Sequence, residues 1–266
     1  MVVLITGASG GLGKVMGGLL AEKGLKVYGT MRNPAGREQD YPFTMLQMEA
    51  TNQQSVENCI NELMAREGRI DVLINCVNQM IIGSVEEQTV EEVEALYDAN
   101  IFGVMRVIKQ VIPVMKKQGS GTIVSMSSIG GLIAVPLMSA YTSAKFALEA
   151  ISESLYHEMK PHNIDVVIMQ PVAMKMDRPA TGGHLDIVAN VPKDSLTHRM
   201  VKRMAADSAA SKLTPEMVSE KIYSVITSDK KPLRVPMDKA KAITLLKRFA
   251  PQALIHKLVS GIMKGA

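Results

Sequence analysis

The sequence predicts an α/β fold, in which one parallel β-sheet carries helices on both of its faces. Short apolar runs and segments of helical spacing alternate along most of the chain. This alternation is typical of a doubly wound parallel sheet with right-handed crossovers. A length of 266 residues suits one large domain better than two small ones.

The predicted strands are apolar runs, as expected of strands that are buried on both faces. They cover residues 2–6, 26–30, 43–48, 71–75, 122–126 and 164–169, and a short strand near 233–235 would close the sheet. Helical spacing predicts helices at 12–23, 55–68, 89–117, 141–159 and 215–227. Gly24 ends the first helix, and the polar residue Asn100 interrupts the third.

Two segments depart from the alternation of strand and helix. Residues 172–213 are rich in proline and glycine and show only helical fragments. Irregular chain beyond the carboxyl ends of parallel strands often covers a ligand. The predicted organisation is therefore one doubly wound domain at residues 1–237, with a substrate lid at 172–213, followed by a basic amphipathic helical tail at 238–266.

Composition and charge exclude several classes of protein. The net charge of +4 is small for this length and no basic stretch is interleaved with aromatic residues, so nucleic-acid binding is not predicted. Neither Cys59 and Cys76 nor the five histidines have metal-ligand spacing, and no metal site is predicted. Arg106 and Lys109 interrupt the longest apolar stretch, which excludes a membrane-spanning helix there. With no signal peptide visible, a cytoplasmic location is predicted.

The strongest chemical signal is the pair Tyr141 and Lys145. Residues four apart lie on the same face of a helix, and an ammonium within about 4–6 Å favours the phenolate form of a tyrosine. Such a phenol can exchange a proton near neutral pH, as carbonyl reduction or alcohol oxidation requires. Ser128, after the preceding strand, could hold the substrate oxygen together with the tyrosine. Alone, the pair is a weak signal, because most pairs of this spacing are a surface tyrosine beside a surface lysine.

A glycine-rich turn, Thr6-Gly7-Ala8-Ser9-Gly10-Gly11-Leu12-Gly13, joins the first strand to the first helix. Gly7 can form the tight turn, Gly11 the close approach to a pyrophosphate, and Gly13 the close contact of helix and sheet. The amino end of the helix would then face the phosphates. This context predicts a dinucleotide site; a plain glycine-rich turn is the alternative.

The end of the second strand indicates which dinucleotide is bound. A carboxylate at this point would bind a ribose 2′-hydroxyl, but the strand ends at Thr30-Met31-Arg32. The missing acid removes repulsion toward a 2′-phosphate, and Arg32 offers a guanidinium to bind it. NADP(H) is therefore predicted over NAD(H). Lys14 and Arg37 are further candidates, unless they are simply solvated surface charges.

Together these residues resemble the short-chain dehydrogenases/reductases, a family with a Rossmann-type fold. Its motifs match Thr6–Gly13, the stretch Asn75-Cys76-Val77-Asn78, Asn100, and Ser128 with Tyr141 and Lys145, in order and with correct spacing. The resemblance is closest to NADP-preferring members that act on hydrophobic alcohols and ketones, such as 17β-hydroxysteroid and retinol dehydrogenases. It also implies a homo-oligomer that forms through the helices at 89–117 and 141–159.

The resemblance assigns roles to individual residues. Tyr141 would be the general acid in reduction and the base in oxidation, and Lys145 would lower its pKa and bind the nicotinamide ribose. Ser128 would polarise the carbonyl oxygen; Ser127 is the neighbouring alternative, one residue off the family spacing. Asn100 would hold a water in a proton relay, unless it only satisfies helix backbone at a kink. The implied cofactor contacts are Gly7, Ser9, Gly11, Leu12, Gly13, Arg32, Asn75, Val77, Lys145 and Pro171.

Four residues depart from the family pattern. Val77 and Asn78 replace an alanine and a glycine near the adenine ribose, and asparagine tolerates the left-handed backbone that a glycine would adopt there. Val172 would crowd the nicotinamide, and Met176 cannot make the hydrogen bond that the family's threonine donates to the carboxamide. These departures put the orientation of the nicotinamide in question.

The chain is therefore expected to be an NADP(H)-dependent oxidoreductase that interconverts a ketone or aldehyde and its alcohol. Ile133, Val135, Leu137, Met138 and the lid would line a pocket for a bulky apolar substrate. Two alternatives stay open: a cofactor-binding sensor or scaffold without redox turnover, and a lyase or isomerase that uses the same acid/base pair. The tail either packs on its own domain or a partner subunit, or lies on an anionic membrane.

Overall fold

A seven-stranded parallel sheet forms the centre of the structure. The computed structural model describes residues 1–175, 192 and 194–264. Its strands are β1 (Val2–Thr6), β2 (Lys26–Met31), β3 (Thr44–Gln47), β4 (Val72–Asn75), β5 (Gly121–Met126), β6 (Ile164–Gln170) and β7 (Arg234–Pro236). They are arranged in the order β3-β2-β1-β4-β5-β6-β7. The order reverses between β1 and β4, so the sheet has its topological switch point there.

Nine α-helices are present in the described part of the chain. They are α1 (Gly11–Glu22), α2 (Gln53–Glu67), α3 (Val90–Tyr97), α4 (Gly103–Gln118), α5 (Ser139–Met159), α6 (Leu196–Ala209), α7 (Pro215–Ile226), α8 (Lys239–Phe249) and α9 (Gln252–Lys264). The predicted doubly wound fold is confirmed. The predicted strands and helices are found at their expected places, with boundaries that shift by one to a few residues.

Every residue of β1 is buried, because helices cover both faces of the sheet. Val2 and Leu4 point into the core beneath α2, α4 and α5. Val3 and Ile5 point to the opposite core, which α1 and α7 cover. Successive residues of a strand face opposite sides, so a continuous apolar run fills both layers at once.

The predicted helix at 89–117 is in fact two helices joined by a π-helical turn at Asp98–Phe102. Thr89 and Glu92 form a reciprocal capping box that starts α3. Asn100 lies in the π-turn, so the predicted interruption of the helix is found at the expected residue.

The tail also differs from a single helix. Ala250 has an extended backbone. This follows from Pro251, the next residue, since the residue before a proline is disfavoured in the helical conformation. The tail is therefore a pair of helices, α8 and α9. Of the predicted lid, α6 is described; residues 176–191 and 193 lie outside the described part. No described helix has the length and apolar character needed to cross a bilayer.

Phe43 shows how tightly α1 packs on the sheet. A Cβ atom on Gly17 would lie 2.4 Å from the Phe43 ring, and one on Gly29 would lie 2.5 Å from it on another side. The ring is 8% exposed, so it has little room to move. The neighbouring Gly18 is different, since the nearest atom to its Cβ would be Pro42 Cγ at 3.5 Å.

We predict that Gly17→Ala destabilises the protein and that Gly18→Ala does not. Overpacking against Phe43 costs about 1–3 kcal/mol, more than the ~1 kcal/mol that alanine gains over glycine in a helix. At Gly18 only the helix gain applies, so the free energy of unfolding should rise by up to ~1 kcal/mol. Urea denaturation of both variants measures these changes; equal effects of the two substitutions would contradict the packing assigned to Phe43.

Candidate active site

The predicted catalytic side chains meet at the carboxyl end of the sheet. Tyr141 and Lys145 lie one turn apart in the first half of α5, 8% and 2% exposed. The Lys145 Nζ lies 5.6 Å from the centre of the Tyr141 ring and donates a hydrogen bond of 2.8 Å to the carbonyl of Met126, the last residue of β5. The Ser128 side chain lies close enough to the Tyr141 hydroxyl to lower the pKa of the phenol. The surface-pair alternative is therefore wrong, because both groups are buried.

Ser128 and Ser127 have different surroundings. The Ser128 hydroxyl accepts a hydrogen bond from Gly130 N at 3.1 Å, and Ile129 N donates to the Pro171 carbonyl at 2.9 Å. These bonds fix the loop after β5 against the end of β6. Ser127 is buried and lies against Gly131, on which a Cβ would be 2.6 Å from the Ser127 hydroxyl oxygen. Ser128 is thus the serine that contacts the tyrosine.

The pKa of Tyr141 differs from the expectation. Burial raises it above its ordinary value of 10.0, and the nearby Ser128 hydroxyl offsets only part of the rise. The expectation of a lowered pKa for this tyrosine is therefore wrong for the protein alone. Lys145 is itself buried, and burial lowers its pKa from 10.5 to about 8, against smaller opposing effects of Cys76 and Glu149. Desolvation disfavours the charged form of both groups.

Sequence reasoning missed a buried ion pair one turn beyond Lys145. Glu149 on α5 is 6% exposed. It accepts a hydrogen bond of 2.8 Å from Gln170 at the end of β6 and one of 3.0 Å from Arg234 on β7. Arg234 is also paired with Glu153 at 2.9 Å. The spacing of Glu149 and Lys145 puts them on one helix face, but the sequence does not indicate that an arginine 85 residues away completes the cluster.

The glycine turn forms a close cradle at the end of β1. Gly7 and Gly11 have φ of 68° and 52°, which favour glycine. A Cβ on Gly13 would lie 2.5 Å from the Gly7 carbonyl oxygen, and one on Gly7 would lie 3.0 Å from Val77 Cα. Leu12 packs into the apolar core beneath α1. Gly10 and Gly11 stand at the amino end of α1, so no side chain at these two positions obstructs a bound phosphate.

Asn75 provides the test of whether a dinucleotide fits here. It ends β4, beside Thr6 of β1, and it is 2% exposed. Within the described residues neither polar atom of its amide has a hydrogen-bond partner. Buried amides are normally paired, so a polar ligand at this edge would satisfy it. The residues present fit a bound dinucleotide.

Asn100 is held by the loop that follows β4. Its side chain is 2% exposed, and it exchanges two hydrogen bonds of 2.7 Å with the backbone N–H and C=O of Gln79. The amide thus anchors this loop to the π-turn. This is close to the alternative that Asn100 only satisfies backbone groups, except that the backbone belongs to the loop and not to the helix. A place in a proton relay stays a prediction.

Three cations surround the cradle on the β2 side. The Arg32 side chain is 83% exposed, and its Nε lies 3.9 Å from a carboxylate oxygen of Glu49. Lys14 Nζ lies 4.9 Å from the centre of the Tyr41 ring, and Arg37 donates a hydrogen bond of 2.9 Å to the Tyr41 hydroxyl. That hydroxyl in turn donates to the carbonyl of Ser9 in the glycine turn at 3.0 Å. Lys14 and Arg37 are therefore not isolated surface charges.

The departures from the family pattern have modest structural effects where they are described. Asn78 is exposed and its φ is not positive, so the loop does not use the left-handed conformation that asparagine tolerates. Val172, after the buried Pro171, packs against the apolar core beneath α1 and α7. Met176 lies outside the described residues.

Comparison with known proteins identifies the family. The profile described as short chain dehydrogenase matches residues 1–181. The chain belongs to the short-chain dehydrogenase family. Oxidation and reduction with NAD(H) or NADP(H) is the chemistry of this family, so the geometry above belongs to an oxidoreductase.

Relatives with curated names include a reductase, an oxidoreductase and a dehydrogenase. The chain is 41% identical over 170 residues to a 3-ketodihydrosphingosine reductase of Bacteroides thetaiotaomicron; the match covers 64% of this chain and 62% of that protein. It is 30% identical over 262 residues to the uncharacterized oxidoreductase YusZ of Bacillus subtilis, covering 93% and 92%. Retinol dehydrogenase 8 of Bos taurus is 31% identical over 181 residues, covering 64% and 57%.

Solved structures of short-chain dehydrogenases share the fold. A short-chain dehydrogenase from Streptomyces avermitilis superposes with a TM-score of 0.79 at 26% identity, covering 98% of this chain and 97% of that one. One from Burkholderia cenocepacia, in complex with NADP, has a TM-score of 0.75 at 22% identity, covering 97% and 96%. At that identity the second similarity shows the fold alone.

We predict that Lys145 makes the stability of this short-chain dehydrogenase depend on pH. Its pKa is about 8 when folded and 10.5 ordinarily. Between these values the unfolded chain binds more protons, so stability rises with pH. The free energy of unfolding of wild type relative to Lys145→Met should therefore increase from pH 8 to 10.5, by up to about 3 kcal/mol. Urea denaturation of both proteins across this range tests it; a constant difference would contradict the assignment.

Proposed function

We propose that this short-chain dehydrogenase is an NADP(H)-dependent enzyme that interconverts a hydrophobic ketone, or an aldehyde, and its alcohol. The observation that carries the proposal is the buried Tyr141 hydroxyl. It is near the Ser128 hydroxyl, its ring centre is 5.6 Å from the Lys145 ammonium, and it lies at the same sheet edge as the glycine cradle.

The two hydroxyl groups can act on the substrate oxygen together. The Ser128 and Tyr141 hydroxyl groups are near each other, so a carbonyl oxygen placed between them could accept a hydrogen bond from each. Because burial raises the pKa of Tyr141, the phenol holds its proton at neutral pH, which suits a general acid. A bound nicotinamide supplies or accepts the hydride. In reduction, the proton of Tyr141 passes to the substrate oxygen as negative charge develops there.

Lys145 then stabilises the phenolate that reduction leaves behind. Its Nζ is 5.6 Å from the ring centre and is held by the Met126 carbonyl. The attraction between ammonium and phenolate exists only after the proton has left the tyrosine. Lys145 therefore favours the state that follows proton transfer, although burial dominates the pKa of the resting tyrosine.

An apolar substrate is supported by the loop after Ser128 and by the relatives. Ile133, Val135 and Leu137 in this loop are half-buried, and Met138 is buried. Two relatives are named for molecules with a long hydrocarbon part, retinol and 3-ketodihydrosphingosine. A hydrophobic ketone or secondary alcohol is the substrate class that agrees with both.

Two further expectations stay predictions. A homo-oligomer through α4 and α5 is supported by the exposed apolar residues Phe102, Met105 and Phe146 in and beside these helices. A cytoplasmic location is supported by Cys59 and Cys76, which are both free thiols, as expected in a reducing compartment.

Substitutions at the hydroxyl pair test catalysis. With aliphatic and cyclic ketones, Tyr141→Phe should lower kcat about 10²–10⁴-fold, because it removes the proton donor, and should leave NADPH binding intact. Ser128→Ala should cost about 10–100-fold, the value of one hydrogen bond to developing charge. Ser127→Ala is the matched control and should change kcat little. NADPH absorbance gives the rates, and a fluorescence titration gives the Kd for NADPH.

Three results would count against this mechanism. Full activity of Tyr141→Phe would remove the proposed acid. A larger loss in Ser127→Ala than in Ser128→Ala would reassign the serine. NADPH binding without oxidation by any ketone would favour a sensor, a lyase or an isomerase.

Substitution of Arg32 tests the choice of cofactor. Arg32→Ala should lower kcat/KM for NADPH relative to NADH by about 10–100-fold, because a charge-assisted contact with the 2′-phosphate is lost. Arg66 is a matched control, since it is also exposed and paired with a glutamate, Glu62, at 2.6 Å. Arg66→Ala should leave the ratio unchanged. A preference for NADH in both wild type and Arg32→Ala would overturn the proposal.

A further inference from the structure

The positive charge of the protein is concentrated in its last helices. Residues 239–264 contain six lysines and arginines and no aspartate or glutamate. The whole chain has a net charge of only +4, so the rest of the chain is slightly acidic. The six are Lys239, Lys241, Lys247, Arg248, Lys257 and Lys264.

The outer face of α8 is apolar, which is unusual for a helix that packs on its own domain. Ala240 is fully buried, and the Lys247 ammonium donates a hydrogen bond to the Leu132 carbonyl. These contacts define the inner side. Phe249 follows Ala240 by nine residues and therefore points about 180° away; it is 75% exposed, and Leu245 is 60% exposed. A surface helix normally presents polar residues to solvent.

Cations flank this apolar row on both sides. By helical geometry Lys239 lies about 80° to one side of Phe249, and Lys241 and Arg248 lie about 80–100° to the other. All three side chains are exposed. An apolar row between cationic flanks is the pattern of helices that lie in the interface of a membrane.

The neighbouring elements extend the same surface. On α9, Leu254 and Leu258 are 44% and 52% exposed, whereas Ile255 is buried. Met217 on α7, 52% exposed, lines a cleft with Lys241 and two further lysines, Lys212 and Lys221.

Among the described residues of α7, α8, α9 and the cleft, the acidic side chains are Asp238, which lines the same cleft, and Glu216 and Glu220 on α7, the last paired with Lys23.

We propose that α8 and α9, with the adjoining cleft of α7, form a surface that binds an anionic lipid bilayer. The cations would lie among anionic headgroups, and Leu245, Phe249 and Leu254 would enter the boundary of the acyl chains. A second copy of the chain is a poorer occupant, because a two-fold interface presents the same patch twice and would bring these cations face to face.

The surface lies beside the active-site loop. Lys247 is bonded to Leu132, and Ile133 lines a cavity of about 120 Å³ with residues of both tail helices, among them Leu246 and Ile255. A bilayer bound at α8 would therefore lie close to the loop that follows Ser128. The inference does not depend on the proposed reaction, since the tail residues are separate from the catalytic ones.

Vesicle co-sedimentation of the full chain tests the proposal. Wild type should bind vesicles of phosphatidylglycerol and phosphatidylcholine in equal parts, should not bind pure phosphatidylcholine, and should dissociate as salt rises from about 0.05 to 0.5 M. Lys241→Ser/Arg248→Ser/Lys257→Ser should weaken binding on the order of a hundredfold, at about fivefold per charge. Leu245→Ser/Phe249→Ser should weaken it at least tenfold, because two apolar anchors are lost.

Matched controls carry the same changes elsewhere. Lys109→Ser/Lys116→Ser/Lys117→Ser removes three exposed lysines from α4, and Val85→Ser/Val90→Ser removes two apolar residues that are 76% and 68% exposed. Both controls should bind like wild type. Circular dichroism verifies that each variant is folded, and light scattering measures its oligomeric state.

Three outcomes would overturn the proposal. The first is no binding of wild type to anionic vesicles at low salt. The second is equal loss of binding in the tail variants and the controls. The third is a changed oligomeric state in Leu245→Ser/Phe249→Ser with unchanged vesicle binding, which would assign this face to a second copy of the chain.

Discussion

The hydrogen bond from Lys145 to the Met126 carbonyl is the interaction on which the active site depends. It joins α5 to the end of β5 at 2.8 Å and fixes the rotation of the helix, so Tyr141, one turn earlier, must face the same sheet edge. A buried ammonium is unfavourable without acceptors and counter-charge. Met126 provides the acceptor, and Glu149, one turn further along α5, provides negative charge that Arg234 balances from β7.

The order of the strands brings the cofactor cradle to this helix. β1 and β4 are neighbours at the switch point, with Thr6 opposite Asn75. The Thr6 hydroxyl accepts a hydrogen bond from Cys76 N at 3.0 Å, which connects the end of β1 to the loop after β4. The glycine cradle, the Asn75 amide and the end of β5 therefore occupy one edge of the sheet, where ligands of open α/β sheets bind.

The sequence was sufficient for the strands, the glycine turn and the group of Ser128, Tyr141 and Lys145, because each depends on local spacing. It was not sufficient for interactions between distant parts of the chain. Glu149 and Arg234 are 85 residues apart, and no local pattern relates them. The pKa of Tyr141 was expected to fall because its spacing from Lys145 is visible in the sequence, whereas its burial, which raises that pKa, is not. The two-helix form of the tail could have been inferred from Pro251, since proline disfavours helix at the residue before it.

The π-turn at Asp98–Phe102 has a consequence for how this region can vary. A π-turn contains one residue more than regular helix would need. Deleting one residue there would join α3 and α4 into regular helix with nearly the same rotation, because a π-turn accommodates its extra residue within one wider turn. The buried stripe of α4, which includes Val104, Val107 and Val111, would therefore keep its contact with the sheet. What would change is the position of Asn100, whose amide is hydrogen-bonded to the backbone of Gln79. The wide turn thus presents one polar side chain to the loop after β4 without altering the helix that follows.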